Sequence, residues 1–105
     1  MAMRYFKAHT LPFPSYDLSA VWAGGGTLSL NWRNGPDGAQ APETVQIGYR
    51  DSTNKPAGET VVTVTASVTT AFVTGLTAAT YEVRLRRESP VGFGLWTEAV
   101  TAQVP

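Results

Sequence analysis

Very few residues in this chain could do covalent or acid–base chemistry. Among 105 residues there is one histidine, His9, and no cysteine. Catalysis of that kind asks for a nucleophile, a base and an orienting group. A lone histidine in an N-terminal segment supplies at most one of the three, and such a residue is ordinarily a surface group. A metal centre would need two histidines or a carboxylate cluster. The loop acids Asp37 and Asp51 are far apart in sequence, and each sits among turn residues, where a carboxylate caps the turn. Gly24-Gly25-Gly26-Thr27 is glycine-rich but lacks the Gly-Lys that completes a phosphate-binding loop, so it reads as a strand connection. The expectation is no enzyme: no catalytic residue, no metal ligand and no cofactor.

Charge removes further classes. Eight basic residues balance eight acidic ones, and charged residues make up only 15% of the chain. Nucleic-acid binding needs a basic surface to neutralise phosphates, and this chain has no surplus to supply one. Without cysteine, a disulfide-stapled scaffold and a thiol enzyme are excluded as well. A hydrophobic content of 43% with zero net charge is the opposite of a disordered composition. One domain of this size can form a core without staples. No run approaches the ~18 apolar residues of a membrane span, and Lys7, His9 and Thr10 interrupt any secretory leader.

Two groups of residues suit recognition instead. Residues 1–16 carry Tyr5, Phe6, Leu11, Phe13 and Tyr16, with Pro12 and Pro14 between them. Proline favours an extended chain that hides little of its own apolar surface. Those five side chains therefore want a surface to lie on, either this domain's own flank or a neighbouring subunit. The second group is the Pro90–Leu95 tip, where Phe93 stands between two glycines. An aromatic at a hairpin tip suits a contact site, and folding back over the domain's end is the alternative. Asp37, Pro90 and Phe93 are the candidate loop-tip contacts.

The elements that must position these groups are strands. Leu28, Leu30 and Trp32 alternate with polar residues, as do Val45, Ile47 and Tyr49, and Tyr81, Val83 and Leu85. Thr60–Thr65 and Val68–Thr74 are rich in β-branched residues, Leu18–Ala23 is a first strand, and Ala99–Val104 is a last alternating run. Turn clusters at Gly24–Gly26, Asn34–Pro42, Asp51–Gly58 and Ser89–Gly94 separate them. Seven short strands with regular turn signals predict an all-β antiparallel sandwich, residues 17–105, preceded by an extended arm, residues 1–16.

Trp32 at the end of the second strand, Val45-x-Ile47-x-Tyr49-Arg50 in the third, and Thr74-Gly75-Leu76 ahead of Tyr81-x-Val83-Arg84-x-Arg86 together resemble a fibronectin type III domain, an immunoglobulin-like fold. Gly92-Phe93-Gly94-Leu95-Trp96-Thr97-Glu98-Ala99-Val100 is similar to that family's last hairpin and strand start. The resemblance implies a seven-stranded sandwich with Trp32, Tyr49, Leu76 and Tyr81 in its core. It implies that Tyr81 forms a tyrosine corner, bonding backbone just upstream. It places the third and sixth strands side by side, so that Arg50, Arg84, Arg86, Glu82 and Glu88 share a mixed, salt-bridged outer face. It sets the Asn34–Pro42 loop and the Pro90–Leu95 tip at one end. Arg87 stands where the family carries a small apolar residue. The expectation is that its stem covers apolar surface at the core's edge while its head stays in water.

A sandwich of this kind without a leader is expected to be a structural or interaction protein of a bacteriophage virion, a capsid decoration or a tail component. It would be made in the host cytoplasm, anchored by its arm to other virion subunits in many copies, with cell-surface carbohydrate as a weak further ligand. The alternative is an accessory binding module of a bacterial extracellular enzyme or adhesin.

Overall fold

A computed structural model of the chain describes residues 11–38, 40–53 and 58–105. The described residues form eight strands: β1 Tyr16–Gly24, β2 Thr27–Arg33, β3 Thr44–Asp51, β4 Thr60–Thr65, β5 Thr70–Val73, β6 Ala79–Ser89, β7 Gly92–Phe93 and β8 Val100–Val104. All pairings are antiparallel. One sheet has the order β1-β2-β5. In the other, β4, β3 and β6 lie side by side, with β7 and β8 both pairing along β6.

Alternation in the sequence translates directly into two faces. Leu28, Leu30, Trp32, Val45, Ile47, Val73, Tyr81, Val83, Leu85 and Val104 form the buried core between the sheets. Period-two placement gives each strand one apolar face, and burying those faces against each other is the main driving force for closure. Tyr49 and Leu76 are partly buried and pack against this core. Tyr81 donates its hydroxyl to the Thr77 carbonyl oxygen at 2.8 Å, so the tyrosine corner is present. Gly26 faces the Leu76 backbone so closely that a β-carbon would not fit, and Leu76 N–H donates to its carbonyl oxygen at 2.9 Å. The β1–β2 turn and the β5–β6 loop are thereby tied together at one end of the sandwich.

The count of eight against the expected seven has a local cause. β7 and β8 are two stretches of one edge strand, interrupted by residues 94–99. Gly94 faces the Pro12 carbonyl oxygen, again with no room for a β-carbon. The interrupted stretch still holds to β6 through Gly94 N–H to the Arg87 carbonyl at 2.9 Å and Thr97 N–H to the Leu85 carbonyl at 2.8 Å. The Thr97 hydroxyl oxygen accepts the Leu85 N–H at 3.1 Å, replacing a ladder bond with a side-chain one. β1 begins at Tyr16, two residues before the start expected from the alternation.

Candidate functional site

The site is built on β6. Tyr81, Val83, Leu85, Arg87 and Ser89 follow one another on the inward face, and all five are buried. Arg87 is therefore not the snorkelling residue expected from the sequence. Its side chain is 2% exposed, and its guanidinium is enclosed at the end of the sandwich. Nη1 donates to Asp37 Oδ1 at 3.1 Å. Nη2 is shared among three backbone carbonyl oxygens: Phe13 at 2.8 Å, Gly35 at 2.9 Å and Pro36 at 2.8 Å. Nε is buried without a partner. A guanidinium keeps its charge at any working pH, so burying it requires convergent acceptors. Here they come mostly from backbone, because the Asp37 side chain is 59% exposed and reaches in from the rim.

These bonds fasten three segments that are distant in sequence. Phe13 N–H donates to the Pro36 carbonyl at 2.9 Å, and the Ser15 hydroxyl donates to Asn34 Oδ1 at 3.1 Å. Pro12 and Ser15 are buried, and a β-carbon on Gly92 would touch the Leu11 side chain. Residues 11–15 thus lie on the domain's own end, along the loop after β2 and against the β6–β7 hairpin.

Of the candidate contact residues, Leu11, Phe13, Asp37 and Phe93 come together around this clamp, with Leu11, Phe13 and Phe93 exposed on its outside. Pro90 is exposed at the hairpin tip. Tyr16 is apart from them, at the start of β1, where it lines a groove of about 460 Å³ with Asp17, Trp96 and Glu98. Tyr5 and Phe6 lie outside the described residues, as does His9. Leu95, 75% exposed next to Gly94, was missed. Arg87 was misplaced, although its inward parity two residues after Leu85 is the signal that points to its true position.

The outer face of the same strand is a ladder. Arg86 is stacked between Phe93, 3.8 Å from the ring centre, and Trp96 at 4.4 Å, while Arg84 lies over Trp96 at 4.1 Å. Arg86 Nε also donates to Gln46 Oε1 at 2.9 Å. Such cation–π contacts hold aromatic rings in fixed orientations. Next to the ladder, Arg50 pairs with Glu82 at 2.8 Å and Arg84 with Glu59 at 2.8 Å, so the face is salt-bridged as expected. Glu59 lies directly over Gly48, which has no side chain to obstruct it. Hydrogen bonding from Arg84 holds the Glu59 carboxyl below its ordinary value, against an opposing effect of burial, with the charges of Arg84, Arg50 and Arg86 adding to the lowering. The same pair raises Arg84. A depression of about 290 Å³ among Arg50, Glu59, Glu82, Arg84 and Ala99 is lined by these paired charges. Among the described residues no group of His, Cys, Asp or Glu side chains could hold a metal ion, and no helix is long and apolar enough to cross a membrane.

No protein-family model matches the sequence, and no curated protein does either. Solved structures do match. The third fibronectin III domain of human KIAA0343 protein is similar over 90% of this chain and 84% of that one, with a TM-score of 0.79 at 17% identity. The FN5 domain of Drosophila Lar is similar over 90% and 98% of the two chains, with a TM-score of 0.74 at 16% identity. The FN1–FN3 domains of chicken CNTN1 match over 88% of this chain and 32% of theirs, with a TM-score of 0.77 at 17% identity. Two antiparallel sheets, a tyrosine corner and these likenesses together show that the chain has the fibronectin type III fold.

Proposed function

We propose that this chain is a non-enzymatic interaction module that binds a protein partner through its clamped end. The observation that carries this is the exposure of Leu11, Phe13 and Phe93 on a support held rigid by the Arg87 bonds, with Leu95 exposed beside it. Grouped exposed apolar side chains with a polar rim suit protein contact. A surface ordered before binding loses less entropy on association. The carboxylates Glu59 and Glu82 are bound to arginines, which suits a structural role for them better than acid–base work. The setting we propose is the bacteriophage virion, where many copies let weak single contacts add by avidity. Cell-surface carbohydrate is proposed as the further ligand, at the exposed loop tips.

Phage particles purified from a lysate of cells that carry the gene for this chain, analysed by quantitative mass spectrometry, test the setting: the chain is expected in tens of copies or more per particle. Its absence from particles sinks the virion reading. Particles assembled with the Phe13→Ala/Phe93→Ala variant test the surface and are expected to carry several-fold fewer copies. Unchanged incorporation would move the contact elsewhere. A glycan array without binding removes carbohydrate and leaves the protein contact standing.

A further inference from the structure

An edge strand presents unpaired N–H and C=O groups to any extended chain, and folded proteins ordinarily blunt such edges. Most edges here are blunted. β1 is broken by two register shifts, one next to Asp17 with a φ of 55°, and it packs alongside β8. β5 has only 4 residues and β7 only 2. β4 has no such protection. Its 6 residues, Thr60-Val61-Val62-Thr63-Val64-Thr65, carry no charge, no proline and no glycine. They pair with β3 without a register shift, and among the described residues no other strand pairs with them.

The facing of this strand is set by its register. Val62 stands opposite Ile47 and Val64 opposite Val45, both of which are fully buried core residues. Thr60, Val62 and Val64 are therefore on the core side, and Val61, Thr63 and Thr65 on the outer side. Val62 is on the core side yet 36% exposed, an apolar side chain open at the rim. Glu59, the acid just before the strand, is bound to Arg84 through both carboxylate oxygens, at 2.8 and 3.0 Å.

We propose that β4 is a self-association edge, on which a second copy of this chain pairs its own β4 antiparallel about a two-fold axis at Thr63. A two-fold axis normal to the sheet keeps both core faces on the same side, so paired residue numbers must sum to an even value. Centring on Thr63 sets Val62 against the partner's Val64 on the core side and Val61 against the partner's Thr65 outside. Centring on Val62 instead would set Thr60 against the partner's Val64 and leave Val62 only itself. The Thr63 register thus buries the open Val62, and it opposes no like charges because the strand has none. β8 pairs only with β6 but is covered by β1, so among the described residues β4 is the edge left open, and pairing through it closes the assembly at two. The pairing of two such short strands buries less than the ~1,600 Å² of a standard interface, so the dimer is weak and concentration-dependent. β4 supplies none of the clamp residues, so this inference stands independently of the contact surface proposed above.

The full chain tests it directly by sedimentation velocity from about 10 µM to about 1 mM, where the dimer fraction is expected to rise. Thr63→Lys, at an exposed outward position, is expected to shift dissociation at least roughly tenfold towards monomer while leaving the thermal midpoint unchanged. The register has its own readout, because the wild-type chain has no cysteine. Under mild oxidation Thr63→Cys is expected to form a crosslinked dimer at least roughly tenfold faster than Thr70→Cys on the β5 edge. A monomer throughout the range, or a dimer indifferent to Thr63→Lys, overturns the proposal. So does equal crosslinking of the two cysteine variants, or capture of an uncharged strand peptide on β4 by a chain that never self-associates.

Discussion

Arg87 Nη2 lies 2.8 Å from the Phe13 carbonyl oxygen, across 74 residues of sequence. The same nitrogen holds the Gly35 and Pro36 carbonyls, so one buried cation joins the arm, the loop after β2 and the sixth strand. Replacing it removes three hydrogen bonds to backbone and one ion pair together; the Pro36 carbonyl keeps the Phe13 N–H, whereas the Phe13 and Gly35 carbonyls lose the guanidinium.

Arg87→Ala is accordingly expected to lose about 3 kcal/mol in urea unfolding, because several charge-assisted hydrogen bonds of one buried side chain are lost together. Asp37→Asn should lose less than about 1 kcal/mol, because its side chain is 59% exposed and the three carbonyls remain in place. Equal losses in the two variants would show that the carboxylate, not the backbone, holds the guanidinium.

Gly94→Ala places a β-carbon against the Pro12 carbonyl, where backbone must move. The expected result is release of residues 11–15 from the domain's end, read as faster proteolysis at Leu11–Phe13, with a stability loss of about 1–3 kcal/mol. Protection equal to the wild type would contradict the close approach.

Tyr81→Phe removes the hydroxyl that donates to the Thr77 carbonyl at 2.8 Å and is expected to cost about 1 kcal/mol. Trp32 differs in that its indole nitrogen is buried without a hydrogen-bond partner. Trp32→Phe should therefore show a loss from packing alone. A hydrogen-exchange signature at Thr77 in the Tyr81 variant, absent from the Trp32 variant, separates the two effects.

The Glu59–Arg84 pair makes stability depend on acid. The folded-state carboxyl of Glu59 is lowered, so its contribution is fully present above the unfolded value of about 4.3 and is lost as pH falls through the lower folded value. Thermal midpoints of the wild type and Glu59→Gln should differ at neutral pH and converge below that window. A gap that persists at the acid end would mean that Glu59 acts through packing rather than charge.

Strand faces were legible in the sequence because the side-chain period of two is a local property. Leu28, Leu30 and Trp32 needed no knowledge of their partners to be assigned to one face, and the same holds for Val83 and Leu85. The paired outer face was legible too, since Arg50, Arg84 and Glu82 lie on strands that the resemblance placed side by side. The parity of Arg87 was equally visible, yet its burial was not. Whether an inward arginine stays wet depends on which acceptors arrive around it, and here they come from Phe13, Gly35, Pro36 and Asp37. The break between β7 and β8 has the same origin, because Pro12 approaches Gly94 only once the arm is laid down. Composition and alternation therefore determined a neutral, cysteine-free sandwich with its core. Tertiary structure alone decided where the arm rests and that a buried charge holds it there. Those contacts join residues that are tens of positions apart, and no local periodicity records them.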